Sequence, residues 1–338
     1  MTGRLSCAVL VLLLCMVAVR LFAQTPPPPP LAPPESEPPE RHDILALQKS
    51  VDELLWYMKL SDVAQIDRIT ITSPKPIRMA NPTGQGAGNP LVIYAYTFVP
   101  KRLAKSKAPL IVFVHGGVHS HFASSYAHIV RELMDQGYVV IAPEYRGSTG
   151  FGKEFYEQID YGGAEIDDTH AARDWAVANL PQVDPKRVGI IGWSHGGYHT
   201  LLNIVRWPQD YQAAYAGVPV SDLVMRMGYK GPGYQREFTE FIGKSAANDP
   251  MEYRRRSPVF HAAAVQTPLL VHTNTNDEDV NVMEVEHLIA ALQAAGKQFE
   301  YKIYDNAAGG HRFNRIDTEL ARASRQEIYQ FLARYLKP

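Results

Sequence analysis

The sequence predicts an α/β protein built on a doubly wound, mostly parallel sheet, with antiparallel strands added by its N-terminal part. Three observations lead there. From Pro109 onward, short apolar runs alternate with amphipathic segments, the rhythm of strand–helix units winding a parallel sheet. Runs such as "PLIVFVHGG" are apolar almost throughout, as strands covered on both faces must be. Ahead of them, "QIDRITITS" and "LVIYAYTFVP" are rich in β-branched and aromatic residues and flank the loop-like "NPTGQGAGNP", which suggests an antiparallel edge. No short-period repeat runs through the chain, so neither a propeller nor a solenoid is encoded in it.

Taken in order, residues 1–23 read as a signal peptide. Arg4 precedes the apolar run "CAVLVLLLCMVAV", and Ala23 offers a small residue at a cleavage point. The expected location is therefore exported, periplasmic or secreted, with no stable membrane anchor after cleavage. Cys7 and Cys15 are the two cysteines of the chain and both lie in this stretch. Disulfides are thus not expected to support the fold, despite an oxidising destination. Residues 24–41 hold nine prolines between positions 26 and 39 and read as a semi-rigid polyproline linker. Residues 42–90 are expected to form a helix and edge strands packed on the main domain. In the helix, Ile44, Leu47, Val51, Leu54, Leu55 and Met58 make one apolar stripe with charges opposite.

Residues 91–338 form the main domain. After "PLIVFVHGG" come a helix around "SSYAHIVRELMDQG", the strand "YVVIAPEY", and a helix through "DDTHAARDWAVANL". The strand "RVGIIGWS", a helix from "GGYHTLLNIVRW" and the strand "YQAAYAGVPV" follow. An irregular stretch, of which about 221–262 is expected to cap the site, leads to the strand "PLLVHT". The helix "VMEVEHLIAALQAAG", the strand "FEYKIYD" and a final helix complete the chain. The formal charge is −1 and no basic stripe occurs, which argues against nucleic acid as a partner.

The chemistry centres on "GWSHGGYHT". Ser194 ends a buried strand and opens a helix, the setting of a nucleophile elbow, with Gly192 and Gly196 where side chains would collide with neighbouring backbone. A serine hydroxyl needs a base oriented by an acid. Both follow in the chain: Asp277 and Asp279 after one strand, His311 after the next, and neighbouring strand ends lie about 5 Å apart. Asp277 is favoured over Asp279, with Glu278 third. The amides of Gly117, in "FVHGGV", and of His195 are candidate oxyanion donors. Trp193, Phe151 and Tyr229 are candidates for lining a substrate pocket. His115, His119, His121 and His128 are dense, but acid or thiol ligands are not near them in sequence, so no metal and no cofactor are expected. Arg146, Glu165, Asp167 and Asp168 read as structural ion pairs beside the site.

In combination, "HGG" at 115, "PEYRGSTGFG" at 143, "GGAEIDD" at 162, "GWSHGGY" at 192, "RRSPVFHA" at 255, the Asp-x-x-Val of Asp277 and Val280, and "GGHRF" at 309 resemble the catalytic domain of the prolyl oligopeptidase family of serine peptidases. The resemblance runs over about residues 90–338. It implies an α/β-hydrolase fold with Ser194, Asp277 and His311 as the triad, and Val280 supports Asp277 as the acid. Two departures stand out. "HTNTND" carries threonine for the family's glycine and one extra residue, so a longer acid loop is expected. Only about 50 folded residues precede the resemblance, so the family's substrate-gating propeller is not expected and prolyl or dipeptidyl specificity is not inherited. The resulting expectation is an exported serine peptidase acting on a peptide or ester substrate. A carboxylesterase with the same triad is the alternative, and a non-catalytic binding module the remote one. The oligomeric state is not legible.

Overall fold

The computed structural model describes residues 39–74, 90–103 and 107–338. The expected signal peptide, most of the proline-rich linker and the "NPTGQGAGNP" loop up to Gly88 and Asn89 lie outside the described residues. An eight-stranded sheet carries the fold, in the order β1-β2-β4-β3-β5-β6-β7-β8. Strands β1 (Ala64–Ser73) and β2 (Leu91–Pro100) pair antiparallel with each other, and β2 pairs antiparallel with β4 (Val139–Glu144). All other pairings are parallel, among β3 (Ala108–Val114), β4, β5 (Val183–Trp193), β6 (Ala213–Gly217), β7 (Leu269–Asn274) and β8 (Glu300–Tyr304). This is the mixed sheet expected from the sequence.

Each apolar strand feeds two cores, because successive side chains point to opposite faces. In β3, Leu110, Val112 and Val114 join one buried cluster and Ile111 and Phe113 the other. Helices α4 (Ala164–Asn179), α5 (His195–Arg206) and α9 (Val282–Ala294) supply the first cluster with Ala172, Leu201 and Leu288. Helices α1 (Pro39–Leu60), α2 (Ala127–Asp135) and α10 (Glu319–Leu336) supply the second with Trp56, Ile129 and Ile328. Among the described residues, no helix is long and apolar enough to cross a membrane. The chain runs from β3 out to β4 and returns to β5 on the other side of β3. The strand order therefore reverses at β3 and β5, and in open α/β sheets the crevice at such a reversal is where ligands bind.

One expectation is corrected here. The apolar stripe of α1 does not pack inward: Ile44, Leu47, Val51, Leu54 and Met58 are exposed, while His42, Lys49, Trp56 and Leu60 are buried. The inward face is polar because it holds the segment after β3. Lys49 Nζ reaches Phe122 O at 3.3 Å and Glu144 Oε1 at 2.5 Å. Asp52 accepts from the Ser124 amide at 3.0 Å, and Lys59 Nζ donates to Ser124 O at 3.1 Å. Trp56 stacks on Phe122 with centroids 5.2 Å apart. A second difference concerns the stretch read as irregular, which contains three short helices, α6 (Leu223–Tyr229), α7 (Pro232–Ile242) and α8 (Pro250–Arg255). The short helix α3 (Lys153–Tyr156) precedes α4.

Candidate active site

Ser194 joins β5 to α5 with φ 59° and ψ −122°, a backbone region that non-glycine residues avoid. The turn is held open by two close approaches. A Cβ on Gly192 would lie 2.2 Å from Gly196 O, and one on Gly196 would lie 2.2 Å from Val114 O. Neither contact tolerates a side chain, so β3, β5 and α5 close around the serine only with glycine there. The Ser194 amide donates to Gly217 O at 2.9 Å, which ties the elbow to β6. Only 6% of Ser194 reaches solvent.

The loops after β7 and β8 bring the acid and the imidazole together. His311 Nδ1 lies 2.8 and 2.9 Å from the two carboxylate oxygens of Asp277. The Asp277 side chain is fully buried and also accepts from the amides of Asp279 and Val280 at 2.9 and 2.8 Å. Asp279 Oδ2 lies 3.7 Å from the other ring nitrogen, Nε2, while its Oδ1 takes Lys230 Nζ at 2.7 Å and Arg226 Nη2 at 3.1 Å. Burial acts to raise the Asp279 carboxyl, but the Arg226 guanidinium and Lys230 outweigh it and hold it below the usual range. Glu278 accepts from the His311 amide at 3.2 Å. The three acidic candidates thus occupy distinct places, and Asp277 is the one on Nδ1.

Thr273, which stands at the family's glycine, is buried with its hydroxyl unpartnered among the described residues, and the polar residues after it brace this pair of loops. Thr275 Oγ1 donates to Asp305 and accepts from the Asn306 amide, at 2.9 and 2.8 Å. Asn274 and Asn276 donate to Gly310 O and Ala307 O at 3.0 and 3.1 Å. The histidine loop comes close to Gly116, which itself lies near Ser194. Arg315 donates to His311 O, and its Nη1 is 3.8 Å from where a Cβ on Gly116 would stand, a point 3.4 Å from Ser194 Cβ. Among the described residues no hydrogen bond joins the Ser194 hydroxyl to His311, whose ring contacts Asp277. Catalytic contacts are often looser without substrate.

Gly117 has φ 75° and lies three residues beyond the end of β3. Its carbonyl accepts from Tyr145 Oη at 2.6 Å, leaving the peptide anchored. His195 is the first residue of α5, so its amide has no carbonyl one turn back within the helix.

The three pocket candidates occupy different surroundings. Trp193 is buried in the core against Phe113 and Tyr215 and donates from Nε1 to Asn314 Oδ1 at 2.9 Å. Phe151 stacks on Tyr94 at 4.5 Å. Tyr229 donates to Glu284 Oε2 at 2.7 Å and accepts from Arg226 at 2.9 Å. The tyrosines next to His195 are instead Tyr145, Tyr161 and Tyr198, and α7 lays Phe238 on Tyr161 at 4.4 Å and Phe241 beside His119 at 5.2 Å.

Three of the four clustered histidines take separate partners, and His128 Nε2 is buried without one among the described residues. His115 Nε2 meets Ser148 Oγ at 3.0 Å, His119 meets Gly147 O at 2.8 Å, and His121 meets Thr149 Oγ1 at 3.1 Å. Among the described residues, the group whose ligand-type atoms converge is Glu165, His195 and His199, all buried and within 4.8 Å. One set of tautomers accounts for the ring-to-ring and ring-to-carboxylate contacts as hydrogen bonds and leaves His195 Nδ1 buried without a partner among the described residues. His199 Nδ1–H donates to Thr169 Oγ1 at 2.8 Å, and His195 Nε2–H is shared between Glu165 Oε1 and His199 Nε2, each at 3.2 Å. The Gly162 amide donates to the same Glu165 oxygen, Oε1, at 2.8 Å, while Oε2 is buried without a hydrogen-bond partner among the described residues. Burial pushes His199 down to about 4, so the ring is neutral at pH 7. The sequence signal was available in the His-x-x-x-His spacing of α5, which puts both rings on one helix face. Arg146 and Asp168 form a buried bidentate pair, with both contacts at 2.8 Å, and Asp167 pairs with Arg206 at 2.8 Å.

A parallel sheet with its serine elbow at the strand-order reversal, and an acid–imidazole pair on the adjoining rim, defines an α/β-hydrolase. Comparison with known proteins narrows the class. The pattern described as "Prolyl oligopeptidase family" matches residues 124–338, and the chain belongs to that family of serine peptidases. It is 32% identical over 243 residues to the uncharacterized peptidase YuxL of Bacillus subtilis, covering 71% of this chain and 36% of the relative. It is 29% identical over 247 residues to an acylamino-acid-releasing enzyme of Arabidopsis thaliana, covering 70% and 31%. The chain thus spans about a third of the length of these relatives. Its fold is similar to that of Pyrococcus horikoshii acylaminoacyl peptidase, with TM-score 0.69 and 23% identity over 81% of this chain and 42% of that one.

Proposed function

We propose that the chain is an exported serine peptidase that cleaves peptide bonds through an acyl-enzyme. Ser194 Oγ attacks the scissile carbonyl while His311 Nε2 takes its proton. The same imidazole then returns that proton to the leaving amine as the C–N bond breaks. Water, deprotonated by His311, cleaves the resulting ester and frees Ser194. Asp277, on Nδ1, fixes the ring orientation and stabilises its charged form. The amides of Gly117 and His195 receive the oxyanion, and each donor of this kind contributes about 3–4 kcal/mol to lowering the barrier.

The observation that carries the reading is the buried Asp277 carboxylate on His311 Nδ1, at 2.8 and 2.9 Å, on a loop braced beside a strained serine elbow. The preference for amides rests on family membership and on relatives whose names are those of peptidases. Assignment to the exported class rests on the Arg4-plus-apolar pattern of residues 1–23. A panel of aminoacyl arylamides, blocked peptides and nitrophenyl esters tests the substrate class. Arylamide turnover comparable to ester turnover is expected. Ester turnover alone would make the chain a carboxylesterase.

A further inference from the structure

The face that α1 turns to solvent is unusually apolar. Ile44, Leu47, Val51, Leu54 and Met58 are 56%, 66%, 52%, 65% and 79% exposed. Their spacing alternates three and four, so they occupy successive a and d positions of a heptad, with Ile44, Val51 and Met58 at a and Leu47 and Leu54 at d. In the same frame His42, Lys49 and Trp56, all buried, fall at f, directly opposite the seam. The protein therefore grips α1 by its f stripe and presents the a/d seam straight outward. Rolling the seam inward would break the Lys49–Glu144 and Trp56–Phe122 contacts.

We propose that this seam is covered by the same seam of a second copy of the chain, forming a two-fold symmetric dimer through paired α1 helices. A 3.5-residue apolar spacing is what knobs-into-holes packing of two helices requires, and β-branched residues at a with leucine at d favour two strands. The area is sufficient. With Tyr57, which is 47% exposed, the side chains present on the order of 500 Å² of apolar surface, at the upper end for a monomer. Two such faces bury roughly 1,000 Å², the lower limit for a specific interface. The flanking e and g positions hold Arg41, Asp43, Gln48, Ser50, Leu55 and Tyr57, so no run of like charge opposes pairing. The seam is short, but the helix is already folded against the protein, so association does not bear the cost of ordering it.

Sedimentation velocity of the full chain between about 1 and 100 µM, a range chosen around the affinity of a minimal interface, tests the proposal. The comparison is with Leu47→Glu/Leu54→Glu and with the milder Leu47→Ser/Leu54→Ser. Both positions are exposed, so the thermal midpoint and circular dichroism should be retained. The wild type should pass to dimer with rising concentration, the serine pair should weaken this, and the glutamate pair should stay monomeric throughout. A monomeric wild type, or a glutamate pair that dimerises as tightly, overturns the proposal. So does a monomeric wild type that binds phosphatidylcholine vesicles through the seam, which would assign the face to a lipid surface.

Discussion

Replacing Lys49 by methionine isolates the contact by which the N-terminal helix holds the segment carrying Gly116 and Gly117. Lys49 Nζ and Glu144 Oε1 are 2.5 Å apart, with 2% and 0% of the side chains exposed. Burial acts to raise the Glu144 carboxyl, yet the Lys49 ammonium, with His115 beside it, brings it down to about 2. Methionine keeps the stem and removes the charge, leaving a buried carboxylate with the Phe122 amide as a donor, at 3.1 and 3.2 Å, and His115 Nε2 3.3 Å away. Breaking such a pair from one side costs about 3–5 kcal/mol. At roughly 2–4 °C per kcal/mol for a large domain, the thermal midpoint should fall by about 6–20 °C. Adding Glu144→Gln removes the stranded charge and should restore more than half of the loss. Scanning calorimetry at pH 7 on the wild type, both single variants and the double variant reads this directly. If the two effects simply add, with coupling below about 0.5 kcal/mol, the pair is not coupled and the reasoning fails.

Other predictions concern the acid of the relay and the pH range of stability. Asp277→Asn should lower kcat for an arylamide by about 10⁴-fold, since an amide at Nδ1 selects the wrong imidazole tautomer. Asp279→Asn, at a side chain 41% exposed and held by Arg226 and Lys230, should cost under tenfold; a larger effect from Asp279 would reverse the assignment. Burial pushes His119, His199 and His272 each down to about 4. The folded rings decline protons that the unfolded chain accepts, so stability is full above about pH 6.5 and drains as pH falls toward 4. Denaturant titrations at pH 7, 6, 5 and 4 should show that loss, and His272→Gln should reduce its slope by about a third, its share as one of three such rings. A stability flat across the window would contradict it.

The legible parts of this fold are those where local pattern and long-range packing agree. The second strand was readable to the residue at Leu91–Pro100, and Ser194 stood out because Gly192 and Gly196 face backbone too close for any side chain. The pairing of Asp277 with His311 agrees with what chain order and strands that are neighbours in the sheet led one to expect. The orientation of α1 was not legible. Its periodicity marked the apolar face correctly, but the inward face is chosen by Glu144 and Phe122, far away in sequence, which pull in Lys49 and Trp56. The segment around 221–262 was hidden partly for the same reason, since it combines distant partners with local caps. Its short helices are fixed by buried polar partners such as Arg226 with Glu284, Asp222 with the Met225 amide, and Arg256 with Asp160.

The most direct test of the account is the covalent reactivity of one hydroxyl. Treatment with a biotinylated fluorophosphonate, followed by peptide mapping, should place a single label on Ser194 of the wild type and none on Ser194→Ala, whose thermal midpoint should be nearly unchanged. An unlabelled wild type, or the same label on the alanine variant, would contradict it.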